Sequence, residues 1–443
     1  MKGRKQLGVI GCCVLGNRRS VKQDRTLSSN AGFREAFGNT LGINVDDRNF
    51  WPFSSLKAVV LRFQRPTPSA PPPMKMMLTL SRKYSTMIRR AIGRAASSLF
   101  GPGLLSLVWV GASLATIPVA TAAKPATKPP LNVLFIMSDD LNCNLGAYGH
   151  PLIQTPHLDQ LARDGLTFRN AFTNFPVCGQ SRASFMTGLY PEQNGVTQLR
   201  RLFRDYVPDA ITMAQHFRSN GYTTARVGKI FHYDNPKGIG TNSHDDPASW
   251  DIRVNPRGRD KDEEDLIFSV NPGSFGASLS WLAADGTDEE QTDGMVATES
   301  INALRHFAQT DQPFFLGVGF YKPHTPYVAP KKYFDLYEPA DIEVPRVPSD
   351  YLKTLPAPAV KSIRNRKKEI DLPEETARQA IHAYYAAISF MDAQVGRVLA
   401  ALDELGLREN TVILFSSDHG YHMGEHGYYQ KQTLFENSDR VPL

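Results

Sequence analysis

Cysteine is scarce: the 443 residues hold four, at Cys12, Cys13, Cys143 and Cys178. That excludes a small domain stapled by disulfides and makes each thiol worth explaining. No internal repeat is evident, which excludes a solenoid or propeller. A basic surface is missing too, although the chain as a whole carries a formal charge of +6. Residues 1–122 hold 18 Lys and Arg against 4 Asp and Glu, whereas residues 123–443 hold 32 against 40, a net of −8. The surplus belongs to the leader, and a mildly acidic body argues against nucleic acid as a partner.

Charge of either sign is absent from Ala95 to Ala123. The basic run "MIRRAIGR" from Met87 precedes this stretch, and Ala120-Thr121-Ala122 closes it. A basic start, an apolar centre and a small-x-small end are the parts of a secretory signal peptide, here residues 87–122. A membrane span is the alternative, but Gly101-Pro102-Gly103 and Pro118 interrupt the run. Residues 1–86, with the Pro-rich "RPTPSAPPP", stand in front of a segment that should itself be N-terminal. They are expected to be a disordered, non-native leader, with translation starting at Met87 or at Met74, Met76 or Met77. The expected product is an exported domain, 123–443, in a periplasmic, secreted or lysosome-like compartment, with no stable membrane anchor. It keeps Cys143 and Cys178, and in an oxidising compartment a bridge between them is one reading.

Four β-prone apolar runs each end in polar, chemically capable residues. "LNVLFIM" leads into Ser138-Asp139-Asp140, "YTTARVG" into Lys229 and His232, "PFFLGVGF" into Lys322-Pro323-His324, and "TVILFSS" into Asp418-His419. Short continuous apolar runs read as strands buried on both faces. Helices alternate with them. Thr155 can cap one that opens at Pro156 and closes at Gly165, a second covers roughly 296–309, and a third runs from Glu374 to Leu405 with apolar residues three or four apart. The pattern predicts an α/β fold, a mostly parallel central sheet with helices on both faces and its site at the carboxyl ends of the strands. The stretch 233–294, rich in Gly, Pro, Asp and Asn, reads as a long insertion on that edge.

Singly, these polar clusters carry little. Two aspartates after a strand are more often a solvated turn or cap than metal ligands; Lys229 reads as a surface lysine, and His232 and His324 as core histidines. Together, Asp139, Asp140 and Asp418 would concentrate negative charge that a hard divalent cation neutralises most simply. His419, His422 and His426 in "DHGYHMGEH" leave a zinc site as a further reading.

"NVLFIMSDDL", "CGQSRASFMTG", "VGKIFH", "KPHTPY", "DAQVGRVLAAL" and "SSDHGYHMGEHGYYQKQTLFENSDRVPL" occur in this order. Together they resemble the sulfatase family, and within it the iduronate-2-sulfatase branch, over about 131–443. The resemblance implies the alkaline-phosphatase-like fold and hydrolysis of sulfate monoesters on a sugar. It identifies Cys178 as the residue that a formylglycine-generating enzyme converts to formylglycine, with Arg182 as the motif arginine. One hydroxyl of the hydrated aldehyde then attacks sulfur, and the second loses its proton and expels sulfate. By the same matching, Asp139, Asp140, Asp418 and His419, with residue 178, resemble the calcium ligands. Lys229 and His232 match catalytic groups, and His324 and Lys431 match groups that bind the substrate. Gln180 departs from the family pattern, which has Pro or Ala there. A phosphomonoester or phosphodiester hydrolase of the same superfamily, or an inactive relative that binds sulfated glycan, are the competing functions. The family also continues past Val441-Pro442-Leu443 into a further strand and a C-terminal subdomain, so an incomplete catalytic domain with an uncovered sheet edge and marginal stability is expected.

Overall fold

In the computed structural model, residues 130–364 and 369–443 are described; the expected leader 1–86 and signal segment 87–122 lie outside them. Five strands build the central sheet: β1 (Asn132–Ser138), β2 (Thr223–Gly228), β3 (Ile252–Val254), β4 (Phe314–Gly319) and β5 (Thr411–Ser417). Their order is β3-β2-β4-β1-β5, and every neighbouring pair is parallel. All four runs read from the sequence are therefore strands of one sheet, with their polar ends on a common edge.

Alternate residues of each strand point to opposite faces, and here each face has its own core. Leu134, Ile136, Leu316 and Val318 pack with α4 (Thr292–Phe307) and α5 (Glu374–Glu404). Phe135, Met137 and Phe315 pack with α2 (Cys178–Thr187) and α3 (Met213–Ser219). Burial on both sides is why the runs are continuously apolar. In α5 the expected stripe of Ile381, Tyr384, Ile388, Met391, Val395, Val398 and Leu402 is buried throughout. Gly406, with φ of +66°, lies just beyond its end.

Two local expectations change. The helix after Thr155, α1 (Pro156–Asp164), is not capped by the threonine hydroxyl, which bonds Asp159 Oδ1 at 3.0 Å. Instead Asp392, from the middle of α5, accepts from the backbone N–H groups of His157 and Leu158 at 3.2 and 2.8 Å. Gly165 ends α1 in an extended conformation, with φ of −121°. The stretch 233–294 is also more ordered than a loop. It contributes edge strand β3 and two strands, Phe268–Ser269 and Ser280–Ala284, of a second sheet completed by Tyr327–Pro330. Arg440–Val441 pairs antiparallel with Ala171–Phe172. Among the described residues no helix is long and apolar enough to cross a membrane.

Candidate active site

The carboxyl ends of β1, β2, β4 and β5 meet the first turn of α2. Cys178 opens that helix, preceded by Val177, whose side chain provides no cap. The free N–H groups of a helix's first turn and the positive end of its dipole favour an anion at this position. Cys178 is buried, 1 % exposed. Its Sγ lies 3.2 Å from Lys431 Nζ, 3.2 Å from His419 Nε2 and 3.8 Å from Asp140 Oδ1. Cys143 and Cys178 are both free, so the disulfide reading is not realised. A cleft of about 500 Å³ adjoins this turn, lined among others by Phe175, Gln180, Leu199 and Gln432.

Arg182, one turn along α2, is fully buried and ties the strand ends together. Its Nε donates to Asp418 Oδ2 at 2.8 Å, Nη1 to the carbonyls of Lys229 and Ile230 at 2.6 and 3.0 Å, and Nη2 to Ser138 O and Asp139 Oδ1 at 3.2 and 3.3 Å. Those five contacts match its five N–H donors. Arg182, matched as a catalytic group by the resemblance, has all five donors taken by the protein and so positions the site.

The remaining groups form a dense, dry ionic cluster. Lys229 Nζ pairs with Asp139 Oδ2, and Lys431 Nζ with Asp140 Oδ1 at 2.6 Å. Asp418 Oδ1 accepts from the backbone N–H of Asp140 at 3.1 Å and of His419 at 3.0 Å. Burial alone would raise the Asp139 carboxyl, but the neighbouring cations, Lys229 foremost, hold it well below the usual range. For Asp140 burial prevails over Lys431 and pushes it up to about 7. Burial opposes ionisation of the Cys178 thiol, yet the cations, led by Lys431, pull it below its ordinary value. His419 rises to about 9 despite burial, chiefly through Asp418. His324 bonds the Thr325 carbonyl through Nδ1 at 2.6 Å and keeps Nε2 3.8 Å from Asp140 Oδ2; burial holds it well below the usual imidazole range.

His232 is the exception to this gathering. It follows Lys229 as the sequence spacing requires, but it faces Asp234 and His244, and it falls outside the ligand groups around residue 178. The zinc reading of His419, His422 and His426 does not hold, because His422 Nε2 bonds Thr433 Oγ1 at 2.7 Å and His426 Nδ1 bonds the Tyr351 hydroxyl, away from His419.

The family model described as Sulfatase matches residues 131–443. The chain belongs to the sulfatase family. Iduronate 2-sulfatase of Mus musculus is 37 % identical over 328 residues, covering 71 % of this chain and 58 % of the relative. Iduronate 2-sulfatase of Homo sapiens is 35 % identical over 356 residues, 76 % of this chain and 64 % of the relative. The chain thus spans about six tenths of the length of these curated relatives. Among solved structures, the phosphonate monoester hydrolase of Agrobacterium radiobacter aligns at 25 % identity with a TM-score of 0.55, covering 70 % of this chain and 67 % of that one. The fold is the alkaline-phosphatase-like one that the sequence implied.

Does this sulfatase's residue set fit a divalent cation? Asp140 Oδ2 is buried without a hydrogen-bond partner, a costly state for a carboxylate oxygen unless a ligand completes it. One ligand atom each from Asp139, Asp140, Cys178 and His324 lies within 4.8 Å of the others, as does one each from Cys178, Asp418 and His419. The two groups share residue 178 and together bring three buried carboxylates around it, oxygen donors of the kind a hard cation takes, so the residues fit.

Several residues that support the sulfatase site escaped the sequence reading. Asp140 has φ of +66°, a strained state for a residue other than glycine. The Tyr384 hydroxyl holds it by donating to Asp140 O at 2.8 Å while accepting from Asn142 N at 3.1 Å. Asp293, at the head of α4, accepts from the backbone N–H groups of Tyr321 and Lys322, both at 2.9 Å, and so fixes the turn that carries His324. Gly228 at the tip of β2 has φ of +74°, and a Cβ there would strike Gly319 O of β4. Tyr384 left a sequence signal only as a member of the apolar stripe, and Asp293 left none.

Proposed function

We propose that this sulfatase hydrolyses sulfate monoesters on sugars, as the names of its iduronate 2-sulfatase relatives suggest, using formylglycine at position 178 and calcium. The observation that carries the reading is residue 178 itself, placed at the head of α2 within reach of Lys431, His419 and Asp140. A hydrated formylglycine there would supply an oxygen nucleophile in place of the encoded sulfur. Asp139, Asp140, Asp418, His419 and residue 178 would hold the cation, which supplies positive charge beside the sulfate.

The chain's own groups account for the rest. Sulfuryl transfer, like phosphoryl transfer, spreads charge over peripheral and leaving oxygens, so cations fixed in advance stabilise it. Lys229 and Lys431 are such cations, each anchored by a carboxylate and largely removed from water. His324 bonds a carbonyl through Nδ1, which leaves Nε2 unprotonated and able to take a proton in the pocket. His232, matched to a catalytic group but turned towards Asp234 here, is a neutral imidazole, lowered to about 4 by burial. The cleft beside α2 is lined by amides and apolar side chains, which suits hydroxyl-bearing sugar rings more than a second anionic group. The uncharged run 95–123 supports export, and a formylglycine-generating enzyme would then be a partner.

The test is mass spectrometry of the peptide containing Cys178, paired with rates on an aryl sulfate and an aryl phosphate. Formylglycine and faster sulfate hydrolysis are expected. Active protein with an intact thiol would remove the mechanism, and inert protein with an intact thiol would leave a sulfated-glycan binder. The likeness to a phosphonate monoester hydrolase favours a second reading, phosphoester hydrolysis on the same site; a faster phosphate rate would select it.

A further inference from the structure

His324 and Lys431 both lie on irregular backbone, so their placement depends on contacts made outside the central sheet. Those contacts lead to one turn. His324 Nδ1 bonds the Thr325 carbonyl at 2.6 Å, and the Thr325 hydroxyl donates to Gly276 O at 3.2 Å. Gln430 Oε1 accepts from the backbone N–H of Lys431 at 3.1 Å, while its Nε2 donates to Glu369 Oε2 at 3.0 Å and to Ala277 O at 3.4 Å. Thr325 and Gln430 are buried, 2 % and 3 % exposed. Two adjacent carbonyls of the 233–294 stretch thus receive the side chains next to both groups.

The turn that offers these carbonyls is itself well held. It joins the antiparallel strands Phe268–Ser269 and Ser280–Ala284. From those strands Ser269 Oγ donates to Ser274 O at 2.9 Å and Ser280 Oγ to Phe275 O at 2.6 Å. Gly276 also lies against the segment that follows His232: a Cβ there would come within 1.7 Å of Asn235 O, an approach that only glycine permits.

We infer that the Gly276–Ala277 turn is a positioning element of the anion pocket, acting through Thr325 on His324 and through Gln430 on Lys431. The inference rests on the roles proposed above for His324 and Lys431. Asp139 and Asp418 are held separately by Arg182, and Asp140 by Tyr384, so the turn should govern the bound anion and leave the cation alone.

The experiment measures binding of inorganic sulfate by calorimetry in excess calcium chloride, with calcium content read by elemental analysis. Thr325→Val and Gln430→Met should each weaken sulfate binding by on the order of 10-fold, as expected for one lost hydrogen bond, with calcium content unchanged. Thr325→Ser, which keeps the hydroxyl, should restore the affinity. Gly276→Ala alters neither side chain but drives the turn off Asn235, and should weaken sulfate at least as much; adding Thr325→Val to it should cost nothing further, since that bond is already broken. Lys331→Ala, at an exposed lysine paired with Asp335, should change nothing. Unchanged affinity in Thr325→Val and Gln430→Met, equal loss in Thr325→Ser, a full further loss in the Gly276→Ala background, or calcium lost together with sulfate would each overturn the assignment. An intact thiol at Cys178 or a faster phosphate rate would remove the proposed function and leave the sulfate affinities to decide the role of the turn. Unaltered protein that binds no sulfate would overturn both.

Discussion

Arg182 shows what a single side chain contributes here. It joins the ends of β1, β2 and β5 through hydrogen bonds to Ser138, Asp139, Lys229, Ile230 and Asp418. Removing one partner of a buried ion pair typically costs about 3–5 kcal/mol, because the remaining charge stays in a dry place. Arg182→Met should therefore lower the free energy of unfolding by about that much, measured by urea titration, since Asp139 and Asp418 would lose their shared guanidinium. Lys431→Gln tests the opposite role. Its ammonium lies between Asp140 and residue 178, and its loss should slow aryl sulfate hydrolysis by roughly 10²- to 10³-fold, while the urea midpoint also falls because Asp140 stays buried without its partner. Asp418→Ala should lose both activity and bound calcium; metal analysis showing full calcium occupancy would remove Asp418 from the ligand set. Of the ten site residues read from the sequence, nine surround residue 178 or include it; most follow a strand or sit in the first turns of a helix whose placement the apolar pattern dictates, whereas Lys431 lies in an irregular segment and was found only through the family motif. His232 and Arg182 were located but their surroundings were not. Whether a side chain faces a ligand or another part of the protein depends on contacts between distant segments, which spacing does not encode.

At the scale of elements, helix ends were harder to read than strands. Thr155 stands at the head of α1, as its residue type suggests, but the N–H groups there bond Asp392 of α5, more than two hundred residues away. No local rule finds a cap supplied from that distance. Burial pushes Asp392 up to about 7, more than its two backbone donors pull it down. The folded protein therefore binds this proton more tightly than the unfolded chain does. The stabilisation it brings is complete below the ordinary aspartate range near pH 4 and is lost as pH rises towards about 7. Asp392→Asn has no such proton. The unfolding free energy of the unaltered protein should fall relative to this variant between pH 4 and 7, and curves that stay parallel would refute the shift. Tyr384 was legible as part of the α5 stripe, but the direction of its hydroxyl was not, because helical period assigns a face and not the reach of a polar tip.

At the scale of the molecule, the α/β alternation was fully readable, since strands covered on both sides leave continuous apolar runs that helices with one apolar stripe do not. The stretch 233–294 was not. Its strands are only two to five residues long, and two of the three pairings they make are with segments outside the stretch. A cation that binds only the folded form adds stability by mass action, about 2.7 kcal/mol when its concentration is 100 times the dissociation constant. Chelation should therefore lower the melting temperature as well as activity, and calcium should restore both. An unchanged melting curve in chelator would show that the acidic cluster balances its charge without metal.

The bond from Asp140 to Asp418 spans 278 residues. During synthesis, the strand that supplies Asp418 leaves the ribosome long after the thiol of Cys178 has done so. Until that late strand docks, the thiol has no lid. Once it has docked, the sulfur is sealed among charged neighbours. An enzyme that modified Cys178 would have to meet the chain before that strand docks.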